Sequence, residues 1–437
     1  MAEVRSTLEV KVVEAVRATR DELLALTAEL VACDTTARTP GMPARDEEKL
    51  QRILARRLGA LGADPDVWEP EATGTGNRHL PDDLDFVGRP QLAARLRGAG
   101  GGRSLLLNGH IDAVDVAPRE KWTDDPFTLT RRDGRLYGRG VGDMKGGIAA
   151  MTVALEALAR TGVRLAGDVV YCTNTDEESS GAGGFACVAR GVKADAGICA
   201  EPTGFDAWVA CRGTLTPFVT VAGRAGHAEV RQPHWREGGA VNAIEKAVPI
   251  IQAAQRLRQE WRDRLDQQHP LLSPGDIVPT IVKGGTWEVT YPESCTVGFD
   301  CMYLPGRLDE EGTGKAVEVE IKQAFEAAAA TDPWFDEHPL AYEWRCDIVP
   351  AEMPADHPLV VAALEAGAGI GRPGKAGGLD SWHDAATFTL RGGTPTFSYG
   401  PDALATAHTI DEWIVEDELV DAAVIYALAA MRWCGTE

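Results

Sequence analysis

The sequence predicts an α/β fold: a mixed, mainly parallel sheet flanked by helices, with an α+β module inserted into it. Three observations lead there. Apolar β-rich runs alternate with helical stretches over residues 1–212, the order changes to β-α-β-β-α-β across residues 213–350, and the alternation resumes from His357 to the end. Residues 1–212 with 351–437 are therefore expected to form one domain and residues 213–350 a second. A chain of 437 residues is also longer than one hydrophobic core usually serves.

From Met1 to Cys33, charges alternate with Leu, Val and Ala at helical spacing, without the basic start and apolar block of a secretory signal, which predicts a first helix. Leu50, Ile53, Leu54, Leu58 and Leu61 recur at three and four, giving a second amphipathic helix over 46–61 that Gly62 and Pro65 stop. Strands are expected at 92–96, 104–107, 168–173 and 194–199, with a helix over 146–160 between the second and third. In the inserted module the expected order is strand 215–221, helix 240–258, strands 278–282 and 294–303, helix 314–330 and strand 340–348.

Composition excludes several classes of function. No apolar run approaches the length that crosses a bilayer, so no membrane partner is expected. A net charge of −22, from 44 basic and 66 acidic residues, repels phosphate backbones and argues against nucleic acid. Nine scattered cysteines with no CxxC pair do not make a disulfide framework, and a reducing cytoplasm is the expected compartment.

Five segments carry side chains suited to chemistry. SLLLNGHIDAVDV (104–116) is a buried-strand run ending in His110 and Asp112, where α/β sheets place ligand sites. A metal-binding His needs its other ring nitrogen held by an acceptor, so His110 is read as a ligand and Asp112 as its orienter. GRGVGDMKGG (138–147) sets Asp143 in a glycine-rich loop before a helix, as a ligand or as a helix N-cap. VVYCTNTDEESSGAGG (169–184) ends a strand in Glu177 and Glu178, whose carboxylates can diverge, one toward metal and one toward a substrate water. GICAEPTG (197–204) ends another strand in Glu201, and ATAHTIDEWI (405–414) puts His408 in a polar loop before the last helix. Mixed imidazole and carboxylate ligands with one bridging carboxylate are what a pair of divalent ions requires.

Together these segments resemble those of the M20 metallopeptidase and deacylase family, which includes acetylornithine deacetylase, succinyl-diaminopimelate desuccinylase and aminoacylase. The likeness covers nearly the whole chain. It implies that Asp143 bridges two ions, that His110 and Glu201 complete one site and Glu178 and His408 the other, that Glu177 is the general base, and that the Asp143–Met144 peptide is cis. Zinc is the implied metal, with cobalt or manganese as substitutes. The inserted module becomes a lid and dimerisation domain, in which GRAGHAEVRQPHWREGGAVNAI (223–244) supplies His227, reaching the neighbouring subunit of a homodimer, and Asn242. Both would steady the new oxyanion, although Asn242 equally suits the cap of the following helix.

Two positions depart from the family. Many relatives carry an Arg in the lid strand before a Leu-Pro-Gly turn; here VGFDCMYLPG puts Met302 there, so either another base such as Arg307 substitutes or the substrate lacks that carboxylate. In GGLDSWHDAATF a bulky His383 stands where a small Ser or Thr usually precedes Asp384, either facing the pocket or packed beside Trp382. The expectation is an amidohydrolase that removes an acyl group from a small N-acylated compound, in the manner of acetylornithine deacetylase. The alternatives are a deformylase of a carboxylate-free amide such as an N-formyl aminopyrimidine, a dipeptidase or carboxypeptidase, and a metal-binding protein without catalysis.

Overall fold

Strands buried along their whole length determine where the chain's chemistry can sit. In the computed structural model, which describes residues 6–37, 42–71, 77–81, 84–401 and 404–437, the strands Leu105–His110, Val169–Asn174 and Ala196–Cys199 are buried at every residue. Their continuous apolar runs fit a sheet covered on both faces. The large sheet runs in the order Asp66–Trp68, Gln91–Leu96, Val169–Asn174, Leu105–His110, Ala196–Cys199, Thr396–Ser398, Ala207–Cys211, Ala351–Glu352, with Ala376–Leu379 paired beside Ala207–Cys211. Its four central strands are mutually parallel, and antiparallel pairs flank them. Helices Gly146–Thr161 and Glu416–Cys434 pack on each other and on this sheet to form the larger core. Gly147 makes that packing possible, since a Cβ there would lie 2.2 Å from the Ala200 carbonyl oxygen.

The N-terminal segment departs from the single helix its periodicity predicts. Two helices form, Thr7–Ala18 and Arg20–Val31, broken at Thr19, whose buried hydroxyl donates to the Val16 carbonyl at 2.7 Å and draws the backbone out of the helical ladder. Residues 1–5 of the expected helix lie outside the described residues.

The inserted segment builds its own four-stranded antiparallel sheet in the order Asp276–Gly284, Ser294–Tyr303, Gly213–Ala222, Ala341–Ile348. Helices Ala243–Asp263 and Lys315–Ala329 close a separate core over it, with Leu215, Val219, Phe299, Ile321, Phe325 and Trp334 at its centre. The elements follow the β-α-β-β-α-β order expected from the sequence, with a short helix, Trp334–Glu337, added before the last strand. Arg212, between the strands Ala207–Cys211 and Gly213–Ala222, is fixed where the two sheets join by donating to the carbonyls of Asp380 and Pro274. No helix among the described residues is long and apolar enough to cross a membrane.

Candidate active site

Three parallel strands end at one place, and the polar residues at their carboxyl ends converge there. His110 closes the strand Leu105–His110, Glu177 and Glu178 follow the strand Val169–Asn174, and Glu201 follows Ala196–Cys199. The Nε2 atom of His110 lies 3.0 Å from Asp143 Oδ1 and 3.9 Å from Glu201 Oε2. On the other side of Asp143, His408 Nε2 lies 3.5 Å from Oδ2 and 3.1 Å from Glu178 Oε2. Asp143 thus turns one oxygen toward each imidazole, and ligand atoms of His110, Asp143 and Glu178 all fall within 4.8 Å of one another.

The Asp143 turn has the unusual backbone this geometry demands. Gly140 enters it at φ 74°, where a side chain would be strained and its Cβ would lie 3.2 Å from that of Ala113. The Asp143–Met144 peptide is cis. Helix Gly146–Thr161 starts only at Gly146, with Lys145 at its N-cap, so Asp143 is not the cap of that helix. His408 itself adopts a left-handed φ of 61°.

Asp112 acts differently from the sequence reading. The acceptor for His110 Nδ1 is its backbone carbonyl, at 2.9 Å, whereas the nearer carboxylate oxygen is 3.6 Å away, beyond hydrogen-bonding range. The carboxylate instead accepts the backbone N–H groups of Glu177 at 3.2 Å and Glu178 at 3.0 Å.

Negative charge dominates the cluster. Burial raises the pKa of Glu177, and the charges of Glu201, Asp384 and Glu178 raise it further, well above the usual carboxylate range against the pull of His110. Burial likewise brings Glu201 up to about 8. Asp143 moves the other way, because hydrogen bonds from His110 and His408 outweigh its burial. Asp143 and Glu178 bring His408 up to about 10. Buried carboxylates in mutual repulsion, alternating with imidazoles around a shared centre, form a donor set that fits divalent cations.

Asp143, Glu177, Glu178, Glu201 and His408 line a cleft of about 380 Å³, together with Trp208, Leu379, Ser381, Trp382, His383, Leu404 and Ala407. Among the described residues, no Lys or Arg lines it. His383 is buried, its Nδ1 lies 3.1 Å from Ser398 Oγ, and burial lowers its pKa to about 3, so the ring is uncharged. The remaining expected site residues lie elsewhere. Met302 is buried in the strand Ser294–Tyr303, away from the cleft lining, and Arg307 is paired with Asp266 and Glu320. Asn242 caps helix Ala243–Asp263 by accepting the N–H groups of Ile244 and Glu245. His227 is exposed and pairs through its backbone with Thr290. Trp287 is 66% exposed, outside the cleft.

Sequence reasoning missed Trp208, which sits in an apolar strand without any motif, and Glu412, which lies inside the quoted His408 segment and is buried against Arg139 at 2.7 Å. A carboxylate four residues past a proposed ligand was the available signal for Glu412.

Comparison with known proteins agrees with this geometry. Residues 106–432 match the model of peptidase family M20/M25/M40. The N-formyl-4-amino-5-aminomethyl-2-methylpyrimidine deformylase of Halalkalibacterium halodurans is 29% identical, with 95% of each chain covered. The succinyl-diaminopimelate desuccinylase of Xanthomonas oryzae pv. oryzae is 30% identical over 91% of this chain and 96% of its own. Among solved structures, a dinuclear metal-binding M20 peptidase of Bacillus subtilis superposes with a TM-score of 0.62 at 15% identity, covering 95% of this chain and 99% of that one. With the family match spanning every strand end that feeds the cleft, the chain belongs to peptidase family M20/M25/M40, a family of dinuclear metal hydrolases that includes deacylases.

Proposed function

We propose that this chain is a zinc-dependent deacylase of a small amide whose amine part carries no carboxylate, of the N-formyl aminopyrimidine kind. One observation carries the choice: apart from the carboxylates and His408, the cleft lining offers two indoles, a neutral imidazole, a serine and aliphatic groups, and no Lys or Arg among the described residues. A substrate carboxylate in that cleft would meet four acidic side chains and find no guanidinium or ammonium among the lining residues to pair with it. Met302 stands where relatives carry the arginine clamp, and Arg307 is already occupied by Asp266 and Glu320. A flat, uncharged ring suits Trp208 and Trp382. The full-length likeness to the aminopyrimidine deformylase points the same way.

His110, Asp143 and Glu201 would hold one ion, and Asp143, Glu178 and His408 the other. Bound there, the ions supply the positive charge that acidifies a water and polarises the acyl carbonyl. Glu177 takes the proton of the attacking water on a carboxylate oxygen and returns it to the leaving nitrogen. Buried in the wall of the cleft, its carboxyl is shielded from bulk water and can keep that proton between the two steps. Asp112 holds the Glu177–Glu178 turn from behind.

The second subunit enters through the inserted module, which we assign as a lid and dimerisation domain. Its edge strand, Asp276–Gly284, is exposed over its last five residues, and Val282, Trp287, Ile244 and Val248 are exposed in or beside it. A second copy of the chain is the occupant, because His227, also exposed there, is then free to reach a neighbouring cleft.

A panel of N-formyl aminopyrimidine, N-acetylornithine, N-succinyl amino acids and dipeptides tests the substrate class. Turnover of the first, with the α-carboxylate compounds slower by 100-fold or more in kcat/KM, supports the reading. Preference for any α-carboxylate compound overturns it. Glu177→Gln should lower kcat by about 10²–10⁴-fold with bound metal unchanged, and full turnover in that variant would remove Glu177 as the base.

A further inference from the structure

The His408 loop and the Asp143 turn come from opposite ends of the catalytic segments, yet they meet on a single buried carboxylate, that of Glu412. Its Oε1 accepts the backbone N–H groups of Gly142 at 2.8 Å and Asp143 at 3.1 Å; its Oε2 accepts the N–H of Gly140 at 3.0 Å and the guanidinium of Arg139 at 2.7 Å. The Glu412 backbone carbonyl takes a further N–H, from Gly138. Next to it, Trp413–Val415 pairs with Arg135–Tyr137 in a small antiparallel sheet, so main chain and side chain fasten the same two segments. The carboxylate is 1% exposed, and Arg139 beside it 2%.

We propose that Glu412 is a positioning residue: it fixes the Asp143 turn and the His408 loop in one register, so that both ion sites take their geometry before any ion binds. A buried carboxylate is costly unless its lone pairs are filled. Here four donors fill them, and three of the four belong to the turn that carries Asp143. No ordinary helix or strand ladder could satisfy these N–H groups, because the turn enters through the left-handed Gly140 and is non-helical at Asp143 and Met144. Removing the charge leaves backbone donors buried without partners, and the turn then relaxes away from the placement that points Asp143 Oδ1 at His110 and Oδ2 at His408. Glutamine at 412 keeps the shape but replaces one acceptor oxygen with a donor, facing N–H groups already there.

This inference rests on the two-ion reading, and the experiment separates the two. Zinc stoichiometry and affinity are measured on the full-length protein by competition with a chromophoric chelator, together with the melting temperature of the metal-free form. The wild type should bind two zinc ions; binding fewer than two overturns the two-ion reading itself. Glu412→Gln should bind zinc 10- to 100-fold more weakly. Glu416→Gln, which breaks a buried carboxylate's pairing with Arg20 and Arg131 outside the cleft, should lower the melting temperature with zinc affinity unchanged. If Glu412→Gln does not fold, Glu412→Asp, one methylene too short to span both segments, is held to the same criterion. Wild-type protein that binds two ions, with a folded 412 variant whose zinc affinity is within twofold of it, overturns the proposal.

Discussion

His110 directs Nδ1 at the backbone carbonyl of Asp112, 2.9 Å away, and leaves the Asp112 carboxylate free to hold other atoms. That carboxylate takes the N–H groups of Glu177 and Glu178. The consequence for a substitution is specific. Asp112→Asn keeps the carbonyl that orients His110 but presents an amide N–H₂ to one of the two N–H groups, so the Glu177–Glu178 turn shifts. Kcat should fall about 10- to 100-fold, while the zinc affinity of the His110 site stays near that of the wild type. Steady-state kinetics on fully loaded protein, with a parallel zinc titration, checks this. Loss of zinc with normal kcat in the loaded fraction would mean that the carboxylate serves His110 after all.

Arg78 joins the catalytic segment to the inserted module, donating to Glu318 and to Asp347 at 2.6 Å each. Burial alone would raise the Glu318 carboxyl, but hydrogen bonds from His79, Lys322 and Arg78 outweigh it and bring it from 4.5 down to about 2. Between those two values the folded chain holds fewer protons on this group than the unfolded chain, so stability rises with pH through that window. The contribution is complete above about 4.5 and disappears as pH falls through about 2. Glu318→Gln should therefore cost about 1–2 kcal/mol at pH 7, below the ceiling its shift allows because Arg78 and Lys322 stay partly in water. Urea unfolding at pH 7 and at pH 3.5 should show the gap between variant and wild type narrowing in acid. A gap that is constant or grows contradicts the assignment.

The parts legible in the sequence were those with local signatures. Leu105–His110, Val169–Asn174 and Ala196–Cys199 announced themselves as apolar runs, and their ends bring Glu177, Glu178 and Glu201 into one cleft, with His110 against Asp143 behind them. The order of strands and helices in the inserted module was equally readable from periodicity. Features set by tertiary contact were not. The break at Thr19 depends on one hydroxyl, the acceptor for His110 is a main-chain atom that every residue possesses, and Glu412 looks like any surface acid until its four donors are seen. Asn242 shows the same limit from the other side: its helix cap is local and readable, whereas any role toward a substrate depends on a second subunit.

His227 provides the sharpest test of how the subunits cooperate. It is exposed, it does not line the cleft of its own chain, and its backbone pairs with Thr290 close to the exposed Trp287. If it serves a neighbour's cleft, His227→Ala and Glu177→Gln chains are each inactive as homodimers for different reasons. In a mixed dimer, the His227→Ala chain retains Glu177 and receives His227 from its partner, whereas the other cleft lacks its base. One cleft in two is then complete. Random exchange of equal amounts makes about half the dimers mixed, so the mixture should recover about a quarter of wild-type activity. Val282→Asp, which places a charge on the proposed interface, should yield monomers by light scattering and abolish that recovery. If the mixture stays at the level of its parents although exchange is complete, His227 acts within its own chain or not at all.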